Sequence, residues 1–324
     1  NIFRKAKEGL RTSSDGQKID MAVESLNASY SYKYFGKGKG VSSYSFVDER
    51  YLQFYSTIIS ASEREATYVI DGLLHTDAIK STQHSTDTHG YTEAIFATMY
   101  LLGFDFAPRI ARLDKQKIYS FGKMNLYKSK NYKVLPDGNI NTDLIEENWD
   151  TIIQMITSIK LKTTSASQVF KRLNSYSKQH TVYQALKELG KIIKSIFVLR
   201  YIDDVQLRQS IQEQLNKIEN SNQFSKAIFF GNGGKMIYPT HQEQLIAEGC
   251  KRLIKNTIIC WNYLYLTNEI ENESQPEKKQ QILDALKAGS AMSWEHIHLE
   301  GFYDLSEENL KDSFDLKPLK KINV

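Results

Sequence analysis

The hydrophobic periodicity of this chain changes near Leu135, and that change limits the folds open to it. Before it, short β-prone runs alternate with glycines and short helical patterns; after it, the text is helical for most of its length. The first part predicts strands over Arg11–Asp20 and Val41–Val47, with Gly36, Gly38 and Gly40 punctuating the approach to the second. Ser62–His75 reads as a helix. It opens on the capping pattern Ser62-x-x-Glu65, and Ala66, Val69, Ile70, Leu73 and Leu74 recur at helical spacing. Thr82–Asp87 reads as a strand closed by the turn Thr88-His89-Gly90, and Thr92–Leu102 as a helix with Gly103 at its C-cap. Phe104–Ile110 then reads as a buried strand. Strands and helices in this order predict a mixed α/β layer structure.

Beyond Leu135, Trp149–Tyr201 is helix-patterned and Leu207–Phe230 forms a long amphipathic pattern. Gln242–Asn268 is a further helix whose stripe of Leu245, Ile246, Gly249, Leu253, Ile254, Thr257, Ile258 and Trp261 is expected to face the core. Asn268–Gln281, polar and broken by Pro276, is expected to be a solvated connector. With 324 residues and 41% hydrophobic content the chain is long and apolar enough for one large domain or two ordinary ones, and too apolar for a disordered tail. Cys250 and Cys260 match neither a metal knuckle nor a redox pair, so both are expected as reduced core thiols. The longest apolar run, Thr257–Leu266, is too short to span a bilayer, and the basic start at Arg4, Lys5 and Lys7 lacks the apolar segment of a signal peptide. A chain opening on Asn1 is expected to be processed or a fragment.

Two aspartates stand in contexts unusual for surface charge. Asp15 lies within a predicted strand, where aspartate is disfavoured, and the adjoining Gly16 marks a close approach to the backbone. Asp87 ends the strand Thr82–Asp87, and ligands gather where strand ends converge in an open sheet. Converging carboxylates repel unless a divalent cation neutralises them, and a set of oxygen donors selects magnesium or manganese over zinc.

A series of ordered blocks then makes the text recognisable: Ser13-Ser14-Asp15-Gly16-Gln17, Tyr34-Phe35-Gly36, Glu63–His75, Thr86–Thr92, Leu102-Gly103-Phe104 and Phe106–Ile110. Gln214–Glu219, Ala227–Gly231 and Trp294-Glu295-His296-Ile297 follow. Together these closely resemble the catalytic region of Tn-three-type (class II, cointegrate-forming) transposases, from Asp15 to about His298. The resemblance implies an RNase H-like mixed sheet flanked by helices, and an Asp-Asp-Glu triad that binds two magnesium ions, for which manganese can substitute. Its aspartates fall on Asp15 and Asp87. Its glutamate falls on Glu219, in the Asn216-Lys217-x-Glu219 block, rather than on Glu295. The spacing of 132 positions from Asp87 to Glu219 exceeds any single connection, so a mainly helical insertion is expected before the helix carrying Glu219. The expected division is a first core part at 1–134, an insertion at 135–205, a second core part at 206–268 and a connector with C-terminal segment at 269–324. Ile218 and Ser293 stand where the family commonly has glycine, and neither change removes a carboxylate.

The implied function is metal-dependent cleavage at transposon ends and transfer of the 3′-hydroxyl strand into target DNA, by a homodimer in the bacterial cytoplasm at the nucleoid. The alternative is a non-catalytic DNA-binding or assembly remnant of a truncated transposase. A tyrosine recombinase is disfavoured, because none of the seven histidines is followed by arginine at the His-x-x-Arg spacing. Net charge is only +4, but Arg109, Arg112, Lys115, Lys117, Lys123, Lys128, Lys130 and Lys133 face Asp114 alone over one stretch. Tyr119, Phe121, Tyr127 and Tyr132 interleave with them, a composition suited to phosphates and unpaired bases. His89 is a possible accessory residue and Asp71 a structural one; Lys317–Lys321 forms a weaker basic patch.

Overall fold

The computed structural model describes residues 10–75, 81–122, 124–175, 180–288, 292–298, 300–302 and 306. Lys123 and the basic tail 317–321 lie outside the described residues. Its centre is β1 (Leu10–Asp20), eleven residues that pair antiparallel with β3 (Lys39–Asp48) on one side and parallel with β5 (Ser81–Thr86) on the other. The sheet runs β2-β3-β1-β5-β6, with β2 (Ser29–Tyr30) and β4 (Gln53–Ser60) on the β3 side and β6 (Asp105–Phe106) beyond β5. A separate ribbon joins β7 (Tyr119–Ser120) to β8 (Gly138–Asn139). This mixed sheet with its helices is compatible with the expected fold.

The helices are α1 (Tyr32–Phe35), α2 (Val69–Leu74), α3 (Glu93–Leu102), α4 (Met124–Ser129), α5 (Thr142–Glu147) and α6 (Trp149–Lys160). They continue as α7 (Ala166–Ser175), α8 (Thr181–Asp203), α9 (Val205–Ile228), α10 (His241–Asn272) and α11 (Pro276–Ala288). Among the described residues no helix is long and apolar enough to cross a membrane.

Side chains alternate across a strand, so the two faces of β3 carry different chemistry. Tyr44 and Phe46 point into a large apolar core with Ile70 of α2, Ile95, Phe96 and Met99 of α3, and Leu186 of α8. Ser43 and Ser45 point the other way. Ser45 Oγ accepts from Gln53 Nε2 at 3.1 Å, and Ser43 Oγ accepts from Lys251 Nζ of α10 at 3.4 Å. The helices that follow residue 135 share the apolar core, through Ile152, Ile156, Phe170 and Leu186.

Several expectations hold locally. α3 forms where the helix was expected, beginning at Glu93 with Thr92 as its cap through a bond from the Ile95 amide, and Gly103 closes it in the left-handed region at φ 85°. Other expectations are corrected. Ser62 caps no helix: Glu65 turns instead to Lys18 and Ser42, a 3-10 turn occupies Glu65–Thr67, and α2 begins only at Val69. Of Phe104–Ile110 only Asp105–Phe106 pairs as a strand, although Ala107 and Ile110 are buried. The expected connector is mostly helical. α10 runs on to Asn272, and Pro276 opens α11 at a first-turn position, where its missing amide costs nothing.

The largest correction concerns α10. Leu245, Ile246, Leu253, Ile254 and Trp261 are exposed, while Gln244, Glu248, Lys251, Lys255 and Asn262 are buried. Cys250 and Cys260 are likewise exposed free thiols, not core residues. The reason is the partner surface. The sheet face that receives α10 is lined by serines and Gln53, so the helix meets it with hydrogen-bonding groups: Asn256 Nδ2 donates to the Gln53 carbonyl at 2.9 Å, and Asn256 Oδ1 accepts from the Gln53 amide at 3.1 Å. Lys255 Nζ, fully buried, donates to Ser221 O, Ser221 Oγ and Ser225 Oγ at 2.8, 2.6 and 2.8 Å, which ties α10 to α9.

Candidate active site

The strands around Asp15 are made rigid by buried polar side chains. Thr12 Oγ1 meets His84 Nδ1 at 2.8 Å, and Ser14 Oγ meets His84 Nε2 at 2.9 Å and Tyr44 Oη at 2.8 Å. His84 stacks between Phe46 and Phe106, and burial pushes its pKa down to about 3, so the ring is neutral and cross-links β1 to β5 without a charge. Ser13, facing the other way, donates to the Gln214 carbonyl of α9 at 3.0 Å.

On this scaffold Asp15 sits mid-strand opposite Ser45, half-buried. The parallel register pairs Ser14 with Thr86, which sets Asp15 and Asp87 next along adjacent strands. The Thr88–Gly90 turn follows at once, the Gly90 amide donating to the Asp87 carbonyl at 3.1 Å. The His89 backbone lies in that turn, and its side chain is outside the described residues. Glu219 stands exposed on α9 beside Ile218, whose side chain packs in the apolar core; the β-branched residue at this point therefore anchors the helix.

Electrostatics couple the three carboxylates. The Asp15 pKa is raised to about 7, first by burial, then by the charges of Asp87 and Glu65, with the Gly16 backbone hydrogen bond opposing and Glu219 adding to the rise. The carboxylates thus share one field. Among the described residues, however, no group of three or more His, Cys, Asp or Glu side chains is gathered closely enough to hold a metal ion.

Two residues that sequence reasoning passed over belong to this neighbourhood. Glu65 Oε1 accepts from Lys18 Nζ at 2.8 Å and from Ser42 Oγ at 3.1 Å. A Cβ on Gly16 would lie 2.0 Å from that same Oε1, so the glycine beside Asp15 is the space in which Glu65 fits. Asn222, one turn beyond Glu219, donates from Nδ2 to Asp15 Oδ2 at 2.9 Å. The Glu63-Arg64-Glu65 block was a visible signal for the first, hidden by the capping pattern. Nothing local pointed to the second, which meets Asp15 across 207 positions of sequence.

The basic stretch leaves the sheet beside Asp87, where the Arg109 amide donates to the Thr86 carbonyl at 2.9 Å. Arg109 is half-buried, and Arg112, Lys115, Lys117, Lys128, Lys130 and Lys133 are exposed, as are Phe121 and Tyr132. A second group of basic side chains, Lys18, Lys226 and Lys251, lines a pocket of about 400 Å³ between β1 and α9, together with Gln17 and Ser225. Asp71 is structural: its Oδ1 accepts from the Ala166 amide at 2.6 Å and caps α7. Glu295 lies exposed in a turn next to Trp294, which stacks on Phe224.

Comparison with known proteins bears on what this arrangement does. Residues 2–303 match the family model described as Tn3 transposase DDE domain. The chain is 38% identical over 314 residues to the transposase for transposon Tn1546 of Enterococcus faecium, covering 97% of this chain and 31% of that protein. It is 35% identical over 299 residues to the transposase for transposon Tn2501 of Escherichia coli, covering 91% and 30%. Against the transposase for transposon Tn501 of Pseudomonas aeruginosa it is 31% identical over 316 residues, covering 97% and 32%. The chain spans about a third of the length of the curated relatives it matches.

Proposed function

Because the chain belongs to the Tn3 transposase DDE domain family, we propose that it carries the catalytic centre of a DNA transposase, with Asp15, Asp87 and Glu219 as its triad. The observation that carries the reading is the parallel register that sets Asp15 and Asp87 side by side on adjacent strands, with the charges of Asp87 and Glu219 both acting on the buried Asp15. Such a set suits a hard divalent cation. The donors are all oxygens, the rise at Asp15 that burial begins is carried further by other carboxylates, and buried Thr86 Oγ1 and Asn222 Oδ1 beside them lack a hydrogen-bond partner. Two magnesium ions, with manganese as a substitute, would be held by Asp15 with Asp87 and by Asp15 with Glu219, and would supply nucleophile activation and charge relief at the leaving oxygen.

The protein's own part is to place DNA against these carboxylates. The exposed Arg112, Lys115, Lys117, Lys128, Lys130 and Lys133 offer phosphate contacts along the stretch that leaves the sheet beside Asp87, and Phe121 and Tyr132 offer faces for unpaired bases. Water cuts the phosphodiester at a transposon end and releases a 3′-hydroxyl. That hydroxyl then attacks a target phosphate and displaces its bridging 3′ oxygen, so replicative transfer needs no covalent protein–DNA intermediate. In this reading α5 to α8 form the insertion between the second aspartate and the glutamate-bearing helix, and two copies act together, one at each end, in the bacterial cytoplasm.

The test is strand transfer from a pre-cut oligonucleotide duplex with magnesium or manganese, run in parallel on this chain and on a chain of its relatives' full length. Asp15→Asn, Asp87→Asn and Glu219→Gln are each expected to abolish transfer while leaving DNA binding within about twofold. Full activity in any of the three removes that residue from the triad. An inactive short chain beside an active long one favours the remnant reading.

A further inference from the structure

The amide of Asn222 is used in an unusual way. Its Nδ2 donates to Asp15 Oδ2 at 2.9 Å, and that orientation leaves its own Oδ1 buried with no hydrogen-bond partner. A buried acceptor left unmade costs free energy, so a side chain chosen only to join helix and sheet would be satisfied on both atoms or be apolar. Local rules are broken where function requires it.

The surroundings fix this amide in place. Gln17, on the same face of β1 as Asp15, donates from Nε2 to the Asn222 backbone carbonyl at 3.3 Å, so two successive outward positions of the strand hold one residue of the helix. Glu219 precedes Asn222 by three positions and lies on the same side of α9. From behind, Lys255 grips Ser221 and Ser225, which prevents this turn from rolling.

We infer that Asn222 is a positioning residue of the site: it holds the Asp15 carboxylate in one orientation and ties it to the helix turn that presents Glu219. The assignment rests on the triad proposed above. Without the bond, Asp15 is free to turn about its side-chain torsions, and α9 loses the contact that sets the spacing between the first carboxylate and the glutamate.

Three substitutions test it. Asn222→Ala removes the donor. Asn222→Asp keeps the size and replaces the donor by an acceptor facing a carboxylate. Asn222→His returns an N–H at similar reach. Manganese binding is read by calorimetry in the absence of DNA, and strand transfer is resolved into kcat and KM for DNA. Asn222→Ala is expected to weaken manganese binding and lower kcat by about 10- to 100-fold, the range for groups that orient metal ligands, with KM for DNA unchanged. Asn222→Asp is expected to lower kcat further, and Asn222→His to recover most of both quantities. The assignment is overturned if Asn222→Ala keeps wild-type metal affinity and kcat, or if the alanine and histidine variants fail equally with lowered melting temperatures. Loss of the triad itself would show separately, as wild-type transfer by Asp15→Asn; an inactive Asp15→Asn beside an unaffected Asn222→Ala removes only the present inference.

Discussion

The two faces of the central sheet are held by different physics. On one, Tyr44 and Phe46 interlock with α2, α3 and α8 through apolar contact, with hydrogen bonds among Ser14, Tyr44 and His84 confined to the strands themselves. On the other, Ser13 exchanges hydrogen bonds with Gln214 of α9, and Ser43 and the Gln53 backbone accept from Lys251 and Asn256 of α10. Asp15 belongs to the second face. Apolar burial is non-directional and tolerates small shifts, whereas a hydrogen-bonded layer fixes distances and angles. The helices on one side of the sheet are thus held by apolar burial and those on the other by directed hydrogen bonds, and Asp15 sits on the second side.

The greatest effect should come from the apolar face. Phe46 is fully buried among Tyr44, Phe54, Tyr55 and His84. Phe46→Ala is expected to cost about 3–5 kcal/mol in denaturant unfolding, the range for a large buried aromatic. A loss below about 1 kcal/mol would mean that this face is not where the stability resides.

Next is a substitution that should stabilise the protein while disabling its proposed chemistry. Burial and the neighbouring carboxylates push the Asp15 pKa from its ordinary 3.8 up to about 7, so between these values the native state holds a proton that the unfolded chain has released. Its stability contribution is fully present below about pH 4 and is lost as the pH rises toward 7. Asp15→Asn is therefore expected to raise metal-free stability at neutral pH, by at most about 4 kcal/mol, with the gain growing from pH 4 to 7 and level above that. Manganese should reverse the order by stabilising only the wild type. Thermal melts across pH, with and without manganese, check both statements, and a gain independent of pH would contradict the electrostatic account.

These contrasts explain what could be read in the sequence. β1, β5, α3 and α9 were legible because their signals are local: β-prone runs closed by glycine or a turn, a Gly103 stop and helical spacing. The orientation of α10 was not. Periodicity reports that a helix has two unlike faces, and only the partner surface decides which turns inward; here that surface is serine and glutamine. Glu65 was misread for a related reason, since Ser62-x-x-Glu65 satisfies the capping pattern while Lys18, 47 residues away, offers a charged partner. In the proposed site, the odd contexts of the two aspartates mark them as candidates in the sequence, but Asn222 acquires its meaning only from a contact that folding creates.

A smaller effect should come from the polar layer. Lys255 is buried, and burial lowers its pKa to about 7, with the charge of Lys251 adding to the fall and Glu248 opposing it. Between about pH 7 and 10.5 the unfolded chain binds a proton that the native state does not, so wild-type stability rises with pH across that window. Lys255→Met is expected to abolish that slope, the change that remains at alkaline pH being the loss of the hydrogen bonds to Ser221 and Ser225. Urea titrations at pH 7 and pH 10 measure the difference; an unchanged slope would place the titration elsewhere. The neighbouring Glu248 meets Lys251 at 2.6 Å, yet neither of its oxygens forms a hydrogen bond of proper geometry, so this layer is rich in ionic contact and poor in satisfied acceptors.

The smallest effect separates the two readings of α10 most cleanly. If Leu253 faced the core, as its place in an apolar stripe suggests, Leu253→Ser would cost several kcal/mol. It is 68% exposed, whereas Ile259, on the same helix, is 2% exposed against Phe224 and Met292. Leu253→Ser is therefore expected to change stability by no more than about 0.5 kcal/mol, as for other surface substitutions. Ile259→Ser should lose several times that. Solubility should move the other way, because Leu253 stands in a row of exposed apolar residues with Ile246 and Ile254, and such patches promote association. Equal losses from the two substitutions would restore the inward stripe and remove the hydrogen-bonded layer on which the placement of Asp15 depends.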